Sequence, residues 1–239
     1  MKIEIIPCLQ DNYCYLIIDE KRNIACAIDP GEASPIINFL KNKKIQLKYI
    51  LNTHHHHDHI GGNSELKNKY DLKIVGFKND RKRIPDIDIL VEDNEVWKED
   101  GFEAKILHVP GHTSGHICFY FFKEKLIFTG DTLFSLGCGR IFEGTYSQMY
   151  NSLKKIKYLP EETKVFCGHE YTKQNAEFCI TQDKNNKKLK NKISEINDKI
   201  RNNFPTVPST IKEELECNIF LKSENLETFS KLRDLKDNF

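Results

Sequence analysis

Residues 53–62 read Thr53-His54-His55-His56-His57-Asp58-His59-Ile60-Gly61-Gly62. Five of the chain's nine histidines fall within these six positions, 54–59. The cluster is internal, carries an aspartate and runs into a Gly-Gly turn, none of which fits an affinity tag. It directly follows Leu47–Leu51, a short β-branched and apolar run that reads as a strand. The histidines therefore sit on a strand-end loop, where a rigid scaffold commonly presents chemistry. In an extended segment alternate side chains share a side, so His54 and His56 can face one metal ion together. Asp58 and His59 arrive after the chain bends and can serve a second. Imidazole and carboxylate suit zinc, iron or manganese.

Outward from this loop, strand signals dominate the first two thirds. They cover Lys2–Pro7, Tyr13–Ile18, Ile24–Ile28, Lys73–Val75, Glu103–Val109, His116–Phe122, Lys125–Phe128 and Lys164–Cys167. Helical patterns are predicted over Ser34–Lys43, Asn63–Lys69 and Ser147–Lys157, the first with Ser34 as its cap and Pro35 at its first helical position. After Gly168 the strand signals vanish. Leu189, Ile193, Ile196, Ile200 and Phe204 form the apolar stripe of an amphipathic helix, and further helices are expected at 210–217 and 225–235. The pattern predicts a β-rich α/β part, 1–170, and a small helical domain, 171–239.

Composition narrows the function classes. Of 239 residues, 39% are hydrophobic and 30% charged, the profile of a globular chain. The 36 basic and 35 acidic residues leave a net charge of +1, which supplies no field to draw in nucleic acid or anionic lipid. The basic stretch Lys184–Arg201 reads as a solvated helix face, because Glu195 and Asp198 interrupt it and no aromatic residues interleave. No apolar run reaches the ~20 residues of a membrane helix. Met1–Cys8 forms no signal-peptide core, so a cytoplasmic location is expected. The eight cysteines are scattered without a C-x-x-C pair and read as reduced core thiols.

Three further blocks stand at strand ends: Pro110-Gly111-His112-Thr113, Thr129-Gly130-Asp131-Thr132 and Cys167-Gly168-His169-Glu170. With the H-x-H-x-D-H loop they resemble, in order, the metal motifs of the metallo-β-lactamase superfamily. The resemblance implies a metallo-β-lactamase-type αββα sandwich followed by a small C-terminal helical domain. It implies that His54, His56 and His112 bind one divalent ion and Asp58, His59 and His169 another, with Asp131 bridging. Asp58 and Asp131 are thereby the carboxylates of the catalytic centre. Zinc is the first choice for the two ions, and iron or manganese also fit. Two dications sharing a water lower its pKa far enough for hydroxide to exist at neutral pH.

The remaining histidines read as scaffold. His55 and His57 lie between ligands and are expected to point away, His57 packing beside the loop or supporting its ligands, while His108 lies on a strand and His116 begins one. Asp29, in Ile28-Asp29-Pro30-Gly31, has two equal readings: a carboxylate that hydrogen-bonds the metal loop, or a residue that starts the turn.

Finer features resemble the glyoxalase II (hydroxyacylglutathione hydrolase) family over nearly the whole chain. They are Ile6-Pro7 with Asp11-Asn12-Tyr13, Gly130–Phe134, Gly137–Arg140, Phe142–Thr145, Gly168–Thr172, Asn218–Lys222 and Leu232–Phe239. The family implies glutathione contacts at Arg140, Tyr171, Arg233 and Lys236. Arg233 and Lys236 are three apart on an expected helix, hence on one partly exposed face, and suit a carboxylate. Phe142 stands where some relatives carry Tyr, cannot donate a hydrogen bond, and is not assigned to binding.

The implied reaction is hydrolysis of S-(2-hydroxyacyl)glutathione, typified by S-D-lactoylglutathione, in methylglyoxal detoxification. The expected partner is this small thioester alone, with a monomeric chain and neither nucleic acid nor membrane. A persulfide dioxygenase of the same fold is the nearest rival, but the second-metal ligands and the Arg233/Lys236 tail oppose it. A lactonase-type hydrolase and a non-catalytic metal-binding module fit the sequence less well.

Overall fold

A computed structural model describes all residues, 1–239. Its contacts divide the chain into two units, Met1–His108 with Gly115–Phe119, and Val109–Ser114 with Tyr120–Phe239.

The first unit opens with β1 (Lys2–Cys8), β2 (Asn12–Asp19) and β3 (Ile24–Ile28), then α1 (Ser34–Leu40), β4 (Gln46–Leu51), α2 (His57–Ile60) and α3 (Asn63–Lys69). β5 (Lys73–Phe77), β6 (Ile89–Val91), β7 (Val96–Glu99) and β8 (Phe102–His108) follow. β1 to β6 form one sheet in sequence order. The first two pairings are antiparallel and the next three parallel. β2 and β3 are buried along their whole length, which explains why they read as unbroken apolar runs instead of alternating ones. Leu16, Ala27, Ile36, Leu66 and Ile74 lie in the core against one sheet face. β7 and β8 pair as an antiparallel hairpin.

β9 (Ile117–Phe121) runs from the first unit into the second. The second unit continues with β10 (Leu126–Gly130), β11 (Leu133–Phe134), β12 (Gly137–Cys138), α4 (Tyr146–Lys157) and β13 (Lys164–Cys167). It ends with α5 (Thr172–Gln182), α6 (Lys187–Arg201), β14 (Ser209–Thr210), α7 (Ile211–Cys217), α8 (Ile219–Lys222) and α9 (Leu226–Asp237). β10 and β13 are parallel, so their C-terminal ends lie side by side. Thr145 and Thr210 start α4 and α7 with capping boxes completed by Gln148 and Glu213. No helix is long and apolar enough to cross a membrane.

Four sequence expectations are corrected. Ser34 does not cap α1. Ala33 holds that position without a side-chain bond, so Ser34 is the first helical residue and Pro35 the second. α1 also stops at Leu40, because Asn42 turns left-handed (φ 66°). The apolar stripe of the α6 segment extends too far: the helix ends at Arg201, Asn203 takes φ 56°, and Phe204 is exposed. Strand does not vanish after Gly168 either, since Ser209–Thr210 adds a short edge to β13.

Candidate metal centre

In the first unit the histidine loop leaves β4 beside the end of β3. Asp29 closes β3 in a left-handed conformation (φ 48°), with its N–H donating to Leu51 O at 3.1 Å. Its carboxylate turns inward and is buried. Oδ1 accepts from Thr53 N at 2.7 Å, and Oδ2 accepts from Thr53 Oγ1 at 2.6 Å. The ring Nδ1 of His59 lies 3.1 Å from Oδ2. This resolves the two readings of Asp29, which both ends the strand and fastens the loop.

The bonds fix ring tautomers. A carboxylate only accepts, so His59 Nδ1 carries the proton. The Thr53 hydroxyl donates its hydrogen bond to Asp29, so His54 Nδ1, 3.0 Å from Thr53 Oγ1, is the donor in that contact. In the neutral ring each therefore keeps its lone pair on Nε2, the form that binds metal. His54, His59 and Asp29 each offer a donor atom within 4.8 Å of the others.

One turn of helix, α2, follows His56 and brings Asp58 and His59 together, with Asp58 Oδ2 3.5 Å from His59 Nε2. The turn fits only because glycines meet backbone: a Cβ on Gly31 would lie 2.2 Å from Asp58 O, and one on Gly61 would lie 2.5 Å from Gly31 O. Asn12 Nδ2 donates to Asp58 Oδ2 at 2.9 Å and to Asp58 O at 3.1 Å. His54 is buried, with ring centroids 4.7 Å from His56 and 4.2 Å from His59. His55 instead has Nδ1 3.6 Å from the buried Asp80, which pairs with Arg83. His57 is exposed, which corrects its expected packing role, and His108 stacks on Phe77 at 4.5 Å. His116 is buried and stacks on the ring of the candidate ligand His54 at 4.7 Å, a contact the strand pattern alone did not show.

In the second unit three candidate ligands converge. Asp131 follows β10 and His169 follows β13, the two parallel neighbours, and Gly168 N donates to Gly130 O at 2.9 Å. Asp131 Oδ2 lies 3.2 Å from His169 Nε2 and 3.5 Å from His112 Nε2. The carbonyl of Arg140 lies 2.9 Å from His112 Nδ1 and can only accept, so this ring too presents Nε2 outward. Tyr171 stacks on His169 at 4.7 Å with rings nearly parallel, and Phe142, largely exposed, meets His112 edge-on at 5.2 Å.

The donor chemistry fits a divalent metal: imidazoles of fixed tautomer, carboxylates beside their Nε2 atoms, and protein oxygens holding the Nδ1 side of His54, His59 and His112.

The proposed glutathione contacts are placed unevenly. Arg140 projects into solvent, its Nε 3.5 Å from Asp237. Lys236 Nζ donates to Gln174 O at 3.3 Å and lies over the Phe178 and Phe239 rings. Burial, helped by the nearby Arg233 and Arg140 charges, lowers its pKa. Arg233 departs from the expected partial exposure. It is 3% exposed, donates from Nη1 to Cys138 O at 2.7 Å and from Nη2 to Asp237 at 2.9 Å, and covers Phe220. The bond to the Cys138 carbonyl on β12 holds the guanidinium inward. Sequence reasoning missed Thr53 as a relay and Asn12 as a support. Asn12 was visible only as part of the Asp11-Asn12-Tyr13 block.

These strand-end imidazoles and carboxylates are candidate metal ligands on a mixed α/β scaffold, the pattern of a metallo-β-lactamase-type protein. The profile of the metallo-beta-lactamase superfamily matches residues 10–169, and that of the hydroxyacylglutathione hydrolase C-terminus matches residues 170–239. A hydroxyacylglutathione hydrolase of Pelagibacter ubique is 68% identical over 239 residues, all of both chains. One from Methylococcus capsulatus is 44% identical over 97% of this chain and 91% of its own. Among solved structures, ETHE1 from Myxococcus xanthus superposes with a TM-score of 0.75 over 98% of this chain and 90% of its own; at 24% identity this shows the shared fold. The chain belongs to the hydroxyacylglutathione hydrolase family of the metallo-β-lactamase superfamily.

Proposed function

We propose that the chain hydrolyses S-(2-hydroxyacyl)glutathione, converting S-D-lactoylglutathione to D-lactate and glutathione, the second step of methylglyoxal detoxification. The observation that carries this reading is the ring orientation at His54, His59 and His112, where a protein oxygen holds each Nδ1 and leaves Nε2 for metal. The relatives' shared name supplies the substrate class.

Seven side chains would hold two divalent ions, zinc first: His54, His56 and His112 one, Asp58, His59 and His169 the other, with Asp131 shared between them. Bound ions of this kind polarise a carbonyl and acidify water. Around them Asp29 and Thr53 keep the rings in the ligating tautomer, and Asn12 keeps the Asp58 carboxylate turned to His59. The leaving thiol, with an ordinary pKa of about 8.5, departs as thiolate without a dedicated acid. Arg140, Tyr171 and Lys236 contact glutathione directly, with Arg233 behind them. In this reading residues 1–170 carry the chemistry and 171–239 the substrate selectivity. The setting is cytoplasmic and the chain monomeric; eight free, buried cysteines suit a reducing compartment.

The test is release of free thiol from S-D-lactoylglutathione, with elemental analysis of the same sample. Turnover with about two ions per chain is expected. Metal-loaded protein that releases no thiol overturns the reading.

A further inference from the structure

The segment from Asp131 to Arg140 is a closed loop. Leu133 pairs with Cys138 and Phe134 with Gly137, and Gly139 N donates to Thr132 O at 3.3 Å. One end carries the Asp131 carboxylate. The other end is the Arg140 carbonyl that orients His112. A Cβ on Gly139 would fall 1.9 Å from Asp131 O, so the two ends cross in contact.

The tip of this loop enters the C-terminal helices, where buried donors meet its carbonyls. Asn175 Nδ2 reaches Ser135 O at 3.1 Å and Cys179 Sγ reaches Leu136 O at 3.1 Å. Asn218 Nδ2 reaches Gly137 O at 3.1 Å. The Leu136 amide is different. Leu136 is left-handed (φ 59°), so its N–H turns out of the hairpin and needs an acceptor. Glu214 Oε2, from α7, supplies it at 2.9 Å and also takes Asn218 Nδ2 at 2.9 Å. Glu214 is fully buried, and Ser209 of β14 is the remaining polar side chain against its carboxyl. The charged and titratable groups that act on it are Glu213, Cys167, Cys179 and Cys217, none of them a cation. A carboxyl so placed is costly and is a poor space-filler.

We propose that Glu214 is a positioning residue for the metal centre: by holding the Leu136 amide it fixes the loop that places Asp131 and orients His112. This rests on Asp131 and His112 being metal ligands. The loop is short and paired along its length, so a shift at the tip is carried to both ends. Misplacement of a catalytic group by ~1 Å from a distant change can cost about a hundred-fold in rate.

The test compares Glu214→Gln, Glu214→Met and Glu214→Asp as metal-loaded enzymes. It reads kcat and KM on S-D-lactoylglutathione, and the visible absorption of the cobalt(II)-substituted proteins. Gln keeps a carbonyl oxygen for Leu136 N and should stay within about two-fold of the parent in kcat, a loss of under ~0.5 kcal/mol. Met fills the volume without an acceptor. It should lower kcat about ten-fold at unchanged KM and shift the cobalt spectrum, a pattern that misplaced groups produce and simple destabilisation does not. Asp, one methylene short, should lie between, and it carries the comparison if the Met variant does not fold. Parental kcat and spectrum in the Met variant, or in the Asp variant where Met does not fold, overturn the proposal. So does a Gln variant as impaired as Met. Asp131→Asn separates the two ideas. If it retains both ions the ligand assignment fails, whereas if it loses metal while the Glu214 variants stay normal, only the positioning role fails.

Discussion

Replacing Asp29 with Asn isolates the device that fixes the ligand tautomers. Asn tolerates the left-handed conformation at φ 48° as readily as Asp, so the backbone stays and only the acceptor pattern changes. The carboxylate receives three bonds, two from Thr53 and one from His59. An amide has one acceptor end, and either orientation sets its NH2 against a donor. With NH2 in the place of Oδ2, it opposes His59 Nδ1–H. The Thr53 hydroxyl then turns its proton toward His54 Nδ1, and both rings are pushed toward the tautomer whose Nε2 is blocked. With NH2 in the place of Oδ1, it opposes the buried Thr53 N–H. At least one charge-assisted bond is lost, about 1.5–3 kcal/mol. That matches the 10–100-fold loss of metal affinity, ~1.4–2.8 kcal/mol, typical when the partner of a ligating histidine is removed. The assay is competition with a chromogenic chelator, alongside elemental analysis and circular dichroism to confirm folding. A folded Asp29→Asn protein that holds the same number of ions at parental affinity would refute the tautomer argument.

Asp131→Asn keeps the shape and removes the charge between two Nε2 atoms; it should lose at least one ion and most of kcat, read by elemental analysis and thiol release. Lys236→Ala should raise KM for a glutathione thioester about ten-fold with a smaller change in kcat, since one hydrogen bond to a charged group contributes ~1.5–3 kcal/mol. Because the Lys236 pKa is lowered, parental KM should begin to rise at a lower pH than an ordinary lysine's ~10.4 would give, and that rise should vanish in the variant. Arg233→Ala should in addition lower the melting temperature, because it orphans the Cys138 carbonyl; an unchanged melting temperature would contradict its place in the core. For Glu214, burial raises the carboxyl from 4.5 to about 7. The native state is therefore penalised once the group ionises, with no penalty below pH 4.5 and a full one of about 3 kcal/mol above pH 7. Urea unfolding should show Glu214→Gln gaining on the parent as pH rises from 5 to 8, and a constant difference would refute the assignment.

Much of the site was legible in the sequence because spacing and strand ends encode it. The H-x-H-x-D-H loop follows β4, and His112, Asp131 and His169 each follow a strand that reads as one. The strands β3 and β13 match their predicted bounds residue for residue, since short apolar runs between turn signals leave little choice. What spacing does not encode is which way a ring faces. That depends on oxygens far away in the chain: Asp29 lies 30 residues from His59, and the Arg140 carbonyl 28 from His112. Arg233 was misjudged for the same reason. Arg-x-x-Lys on a helix shows a shared face but not that a carbonyl 95 residues away takes the guanidinium. The strands β6 and β7 were missed because three or four residues are too few to show alternation.

These distant oxygens and donors also bear on how the C-terminal helices serve the reaction. If they only gripped substrate, their side chains would face outward and their loss would appear in KM. Instead Asn175, Cys179, Glu214, Asn218 and Arg233, from α5, α7, α9 and the α7–α8 junction, all hydrogen-bond the backbone of residues 135–138. That stretch is the tip of the loop whose ends carry Asp131 and orient His112. A chain ending at residue 170 would leave these backbone groups without their partners. The loop would then lose its register along with its substrate contacts, and the loss would fall on kcat and metal retention as well as on KM. Under the proposed metal assignment, the buried bonds that anchor the helical segment would also hold the loop that carries Asp131, so selectivity and metal geometry would share one set of contacts.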